Sequence, residues 1–257
     1  MEIMAKESST SGVQSVERSA LLLNVLARTG GQASLVDIAA ASELPMTTIH
    51  RLLRTLVEVG LVRQTPSRHY ALGPTLIPLG ELASQMLGVW AHPYLEQLVR
   101  DVGETANLAM FDRDGVVYLA QVPSPHAMRM FTEVGRHVDA HSAGVGKALL
   151  AQMDDAQVLA VARRVGLTRQ TDRTIVTESD LLSAMEQIRA QGYAVDDGEQ
   201  AIGVRCIAMA VPASSHRFAV SVSGPAARIT AGREAEIVPA LRRAADALTR
   251  ELQSRES

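Results

Sequence analysis

A single cysteine, Cys206, stands in 257 residues, so no disulfide can form within the chain. Aromatic side chains make up only 3%, too few for the stacking platforms that grip single-stranded nucleic acid. No apolar run approaches the roughly 18 residues of a membrane helix. The opening stretch MEIMAKESSTSG is polar and carries no hydrophobic signal core. These absences lead to the expectation of a cytoplasmic protein with no membrane partner. Charge of one sign is lacking too: the net charge of −3 argues against indiscriminate binding to nucleic acid. What remains is 47% hydrophobic and 21% charged, the balance of a soluble globular chain long enough for one large domain or two small ones.

The average hides a basic segment. Across 44–71, Arg51, Arg54, Arg63 and Arg68 stand against the single acid Glu58. The sequence before it, SVERSALLLNVLARTGG, reads as a helix, with Ser15 as its cap and Gly30-Gly31 as its stop. SLVDIAAASELP follows, and Ser34 with Asp37 three positions on forms a capping-box pattern for a short second helix. A third helix is expected from Met46 to about Val59. Ile49, Leu52, Leu53, Leu56 and Val57 make its buried stripe. Thr47, Thr48, His50, Arg51 and Arg54 fall outside, and Thr47, Arg51 and Arg54 share a face. Small hydroxyls followed by arginines suit a helix entering the DNA major groove by its N-terminus. LVRQTPSRHYALG then reads as two short strands around a Pro-Ser-Arg turn. Three helices and a basic hairpin make a winged helix-turn-helix pattern.

Beyond Pro74 and Pro78, residues from about Leu79 to Val89 read as a linker helix with Leu79, Leu82, Ala83 and Met86 on one side. His92-Pro93 opens a further helix. The rest alternates irregularly. TANLAMFDRDGVVYLAQV reads as strand, turn and strand, and AMRMFTEV as another strand. Helices are expected after SAGVG, over 154–165 and 179–191, and from about Gly232 to Gln253. YAV, CIAMAVPA and FAVSVSG are short strands. Antiparallel strands with helices on one side describe an α+β domain.

Four clusters could carry chemistry. GVGKA, at 144–148, lacks the glycine and the hydroxyl residue that a phosphate loop requires, since His141 and Ala148 occupy those places. It remains either a loop of free backbone N–H groups or a tightly packed helix start. HVDAH puts His137, Asp139 and His141 at alternate positions, a set that could hold a divalent metal or simply decorate a surface. Cys206, within VRCIAMAV, could act as a nucleophile only beside a base and in an electropositive setting. A buried, inert thiol fits its apolar neighbours better. SVSG places Ser221 and Ser223 on one face of a strand, where two hydroxyls suit a carboxylate or hydroxyl ligand.

Taken in order, SVERSALLLNVLA, LVDIAAASELPMTTIHRLLRTLVEVGLV, HSAGVGKALLA, GYAVDDGEQAIGVRCIAMAV and VSVSGP resemble the IclR family of bacterial transcriptional regulators from Gln14 to about Leu252. The resemblance implies an N-terminal winged helix-turn-helix domain, a linker helix and a C-terminal effector-binding domain of profilin- or GAF-like topology. The corresponding segments here are 13–74, 75–91 and 92–257, after a disordered tail over 1–12. It also implies a homodimer or homotetramer on double-stranded operator DNA, with no cofactor. By resemblance to members that sense small 2-oxo acids such as glyoxylate or pyruvate, the effector would meet Gly144, Val145, Asp196, Cys206, Ser221 and Ser223. Met130, Val138 and Val204 would form apolar walls. Val145 stands where those members carry a smaller residue, and Ala127 where leucine is expected. Asp197 is expected to point away from the pocket.

The expected function is therefore a ligand-responsive repressor. Thr47, Thr48, His50, Arg51 and Arg54 would read bases, while Arg63 and Arg68 would hold phosphates. An activator using the same contacts and responding to an aromatic or other small carboxylic acid is one alternative. An enzyme acting on a small metabolite through Cys206 or Asp196 is the alternative of another class.

Overall fold

The computed structural model describes residues 12–113, 115–130, 133–212 and 217–256. All but Gly12 of the expected disordered tail lies outside the described residues. The described chain forms two compact units that part between Ala83 and Ser84.

In the first unit, α1 spans Gln14–Arg28. Ser15 does not cap it. The Val13 carbonyl already accepts the N–H groups of Val16 and Glu17, so the chain turns helical before Ser15 is reached. Gly30 and Gly31 follow with φ of +79° and +88°, conformations glycine adopts without steric cost. Next come β1 (Gln32–Ala33), α2 (Leu35–Ser42), α3 (Met46–Glu58), β2 (Val62–Gln64) and β3 (Tyr70–Leu72). The capping box at the start of α2 forms as expected. Asp37 N–H donates to Ser34 Oγ at 3.2 Å, and Ser34 N–H donates to Asp37 Oδ2 at 3.3 Å. Leu22, Leu26, Ile38, Ile49 and Leu53 meet in a core that excludes water. Val57, expected in the buried stripe, is exposed: α3 ends one residue later, and Leu56 already completes the contact. The wing has a third strand that two residues could not announce. β1 pairs with the free edge of β3, giving the antiparallel order β1-β3-β2.

α4 runs over Leu76–Leu87. It starts three residues before the expected Leu79 because Pro78 falls in its first turn, where the missing N–H has no helical partner to lose. None of its residues is buried, and Leu79, Leu82 and Met86 stay exposed.

The second unit continues, after a 3-10 turn at Val89–Ala91, with α5 (His92–Val102), β4 (Thr105–Asp112), β5 (Gly115–Val122), β6 (His137–Asp139), α6 (Gly144–Leu150), α7 (Asp155–Val165), α8 (Glu178–Gln191), β7 (Ala194–Asp197), β8 (Val204–Val211), β9 (Phe218–Pro225) and α9 (Glu234–Glu256). The six-stranded sheet has the order β6-β5-β4-β9-β8-β7, with every neighbouring pair antiparallel. The class is α+β, as expected, but helices cover both faces. Leu95 and Leu98 of α5 and Leu241 and Leu248 of α9 pack with Leu108, Ile207, Val220 and Val222 on one side. Leu149, Val158, Leu181 and Met185 from α6 to α8 pack with Ala109, Ala208 and Ala219 on the other. Both faces of β8 and β9 are buried, which the apolar run Cys206–Val211 of β8 reflects, since a strand buried on both faces need not alternate. Trp90 belongs to the first of these cores, edge-on to Phe218 with ring centres 6.2 Å apart and with the Arg255 guanidinium 5.6 Å from its ring centre.

The strand expected over AMRMFTEV is absent among the described residues; Phe131 and Thr132 lie outside them. Ala127 and Met128 lie in a bend, Arg129 and Met130 are irregular, and the edge strand is β6. The reason is competition for β5. Tyr118 N–H donates to the Arg136 carbonyl and Gly135 N–H to the Tyr118 carbonyl, so that edge is taken by the segment just before β6. Among the described residues, no helix is long and apolar enough to cross a membrane.

Candidate functional site

Two places gather the residues singled out above, one in each unit. In the first unit, α3 turns Thr47, His50, Arg51 and Arg54 outward. With Val57, Glu58, Gln64 and Tyr70 they line an open concavity of 720 Å³. Thr47, His50, Arg51 and Arg54 are exposed, whereas Thr48 is half-buried. The helical period explains this grouping: Thr47, Arg51 and Arg54 recur every three or four residues on the face opposite Ile49, Leu53 and Leu56. Arg63 and Arg68 stand exposed on the hairpin, and Arg68 takes a left-handed φ of 62° at its tip. Arg54 Nε lies 3.7 Å from Glu58 Oε1, a solvent-facing pair. Gln64 and Tyr70 escaped the sequence reading because nothing in a three-residue strand says which helix face it will flank.

In the second unit, strand register assembles the other set. Asp196 lies opposite Cys206, Cys206 opposite Ser223, and Ser223 opposite Thr105. One pair along, Ser221 lies between Ala208 and Asn107, and Asn107 faces Gln121. All these side chains stand on the face covered by α6 to α8, because paired residues share a face and successive ones alternate. Asp196, Cys206, Ser221, Ser223, Thr105 and Asn107 are buried.

α6 closes over this row. A Cβ on Gly144 would sit 3.0 Å from Cys206 Sγ, and one on Gly146 would sit 2.3 Å from the Ala140 carbonyl oxygen. Gly144 therefore lets the helix approach β8, Gly146 lets it approach the chain just after β6, and Val145 is fully buried between them. Val138 packs against the same cluster. Val204 is half-buried on the Cys206 face of β8. Met130 is half-buried, and its carbonyl accepts Thr105 Oγ1–H at 3.1 Å, which anchors the preceding loop at the end of the row. Ala127 is exposed.

The electrostatics are those of a buried site. Burial pushes the Asp196 carboxyl up to about 6, although Oδ1 accepts Glu199 N–H at 2.7 Å and Gln200 N–H at 3.3 Å. Burial, helped by Asp196, pushes the Cys206 thiol up to about 12. Burial also raises the Tyr118 phenol, which feels both Cys206 and Asp196. Asp197 points to the other face, exposed, with Arg173 at 3.1 Å and Arg205 at 3.5 Å. Beside Asp196 sits a buried ion pair that sequence reading missed. Lys147 Nζ donates to Glu199 Oε1 and, at 2.7 Å, to the Val195 carbonyl. Burial raises the Glu199 carboxyl above its ordinary value against the pull of that ammonium.

A buried thiol held this far above neutrality makes a poor nucleophile. His137, Asp139 and His141 do not converge. His137 Nε2 lies 3.7 Å from Asp112, Asp139 accepts from Gln170, and buried His141 reaches the Thr168 carbonyl at 3.0 Å. Only the first two share β6; the chain turns before His141. Among the described residues, no group of three His, Cys, Asp or Glu side chains is placed to hold a metal ion.

Comparison with known proteins completes the picture. The model of the IclR helix-turn-helix domain matches residues 15–66, and that of the bacterial transcriptional regulator IclR C-terminal domain matches residues 81–250. The transcriptional repressor IclR of Escherichia coli is 36% identical over 254 residues, covering 96% of this chain and 92% of its own. The acetate operon repressor of Salmonella typhimurium is 37% identical over 248 residues, covering 93% and 90%. The crystal structure of an IclR transcriptional regulator from Alicyclobacillus acidocaldarius superposes with a TM-score of 0.81 at 31% identity, over 93% of this chain and 98% of that one. These relatives are regulators, so the alternative of an enzyme working through Cys206 or Asp196 falls. The chain belongs to the IclR family of bacterial transcriptional regulators, with a DNA-binding helix-turn-helix domain ahead of an α+β domain.

Proposed function

We propose that this regulator is a repressor whose operator binding is modulated by a small carboxylate of the 2-oxo acid class. The observation that carries the reading is the buried polar row on one sheet face, Asp196, Cys206, Ser223 and Ser221, set beside Gly144 and Val145. Neutral thiol and hydroxyl groups in a buried site suit one small anion, and by the resemblance Val138, Val204 and Met130 would form its apolar walls. Differential affinity of that anion for two arrangements of the protein would shift operator occupancy. The working protein would be a homodimer or homotetramer in the cytoplasm, with segments 13–74, 75–91 and 92–257 as its DNA-binding, linker and effector parts. The exposed apolar side of α4, with Leu79, Leu82 and Met86, supports pairing through the linker.

On DNA, Arg51 and Arg54 with Thr47, Thr48 and His50 would face base edges, and Arg63 and Arg68 phosphates. Arg51→Ala should weaken operator binding by about 1–3 kcal/mol through loss of a bidentate base contact. A gel shift at fixed salt, using the gene's own upstream DNA, reads this; unchanged affinity removes Arg51 from base recognition. Ser221→Ala should lower affinity for glyoxylate or pyruvate at least about tenfold, through loss of a hydrogen bond to a charged group, and leave operator affinity untouched. Calorimetry and gel shifts on that variant test the reading. If neither acid binds the parent protein, it fails.

A further inference from the structure

Asn107 and Gln121 lie behind the serines, outside every set of residues assigned so far. Asn107 is fully buried. Its Nδ2 group donates to Ser221 Oγ at 3.3 Å and to Ser223 Oγ at 3.4 Å. Its Oδ1 accepts Gln121 Nε2–H at 3.0 Å. Ser223 lies opposite Cys206 across the β8–β9 pair, and both serine hydroxyls act to lower the thiol pKa against the effect of burial. An amide has one accepting and one donating end, and a hydroxyl has one proton that rotates to suit its surroundings. Gln121 donates to the accepting end of Asn107, and the donating end of Asn107 faces the serines. Each serine oxygen then takes a proton from Asn107 and turns its own O–H away from the amide, toward the side of Cys206.

We propose that the Gln121–Asn107 pair is a positioning relay that fixes Ser221 and Ser223 as hydrogen-bond donors, and so makes the buried site selective for an anionic over a neutral ligand. The inference rests on the reading that this site takes a small carboxylate, and it adds the residues that set the preference. Two converging O–H donors match one carboxylate, and a neutral amide of the same shape satisfies them less well. Fixing the donors in advance removes the cost of turning them when the ligand arrives. The opposite orientation, with the serines donating to Asn107, would present lone pairs to the ligand and repel it.

The test compares pyruvate with pyruvamide by calorimetry on the full-length protein. The parent protein should prefer pyruvate. Asn107→Leu, which adds no charge, should lower the pyruvate-to-pyruvamide affinity ratio about tenfold, and Gln121→Met, at a half-buried position, about threefold, in line with losing an ordered hydrogen bond. An equal loss for both ligands in the two variants marks a merely structural role and overturns the relay, as does a parent protein that prefers pyruvamide. A second readout needs no ligand. Cys206 is the only thiol, so its S–H stretch is a unique infrared band. Asn107→Asp accepts both serine protons and leaves their oxygens facing the thiol, so the band should move to lower wavenumber. If neither compound binds the parent protein, the carboxylate reading falls, and the infrared shift alone decides the relay: no shift overturns it.

Discussion

Replacing Lys147 by Met is expected to destabilise the C-terminal unit by about 3–5 kcal/mol, the usual consequence of removing one partner from a buried ion pair. Lys147 and Glu199 keep only 4% and 13% of their side-chain surface. The substitution retains most of the side-chain length, so the loss is electrostatic and not a cavity. It strands the Glu199 carboxylate and leaves the Val195 carbonyl without its donor. Adding Glu199→Gln should recover much of the loss, because a neutral amide in a dry site needs no counter-ion. The double-mutant cycle then isolates the pairwise coupling. Trp90 makes the measurement selective: it is the only tryptophan and is buried in the core of this unit. Its fluorescence during urea unfolding therefore reports that unit. The loss should shrink at lower pH, where Glu199, already raised by burial, takes a proton more readily. A Lys147→Met protein as stable as the parent would contradict the buried pair.

The second large effect is on pH. Asp196 stands at about 6 in the folded protein against an ordinary 3.8. It binds its proton more tightly folded than unfolded. The associated stability is complete below the unfolded value and is lost as pH rises through the folded one, about 3 kcal/mol for a shift of this size. The same proton governs the proposed effector. A carboxylate placed beside Asp196 requires Asp196 to be neutral. Glu199 and Lys147 act on it with opposite signs, while Cys206 and Tyr118 stay uncharged. Affinity for pyruvate should be flat below about pH 6 and fall as much as tenfold per pH unit above it, as expected for binding linked to one proton. Asp196→Asn should abolish that slope. Calorimetry across pH 5 to 8 in buffers of different ionisation heat measures both the slope and the proton taken up. A flat parent profile would mean an ionised Asp196 and a ligand that offers it a hydroxyl or amine.

Local order was legible in the residues alone. Helical period separated Ile49, Leu53 and Leu56 from Thr47, Arg51 and Arg54. The Ser34–Asp37 box marked the start of a helix. Alternation in SVSG placed two serines on one face. Such signals act over a few residues, and tertiary packing has little power to overrule them. Lateral neighbours were set by the fold. Ten positions separate Asp196 from Cys206, but their pairing, and the further step to Ser223 and Thr105, depends on strand register across four strands. Thr105 and Asn107 already alternate in TANLAMFD, but alternation names a face and not a partner. Lys147 read as the end of a failed phosphate loop and became a buried counter-ion, because Glu199 arrives from a turn 52 positions away. HVDAH read as a possible metal set and dispersed, because the strand ends before His141. Covering both faces of the sheet likewise depended on where α5 and α9 dock. Local periodicity reports which side of an element faces inward; what it meets there is fixed by contacts distant in sequence, which no local pattern encodes.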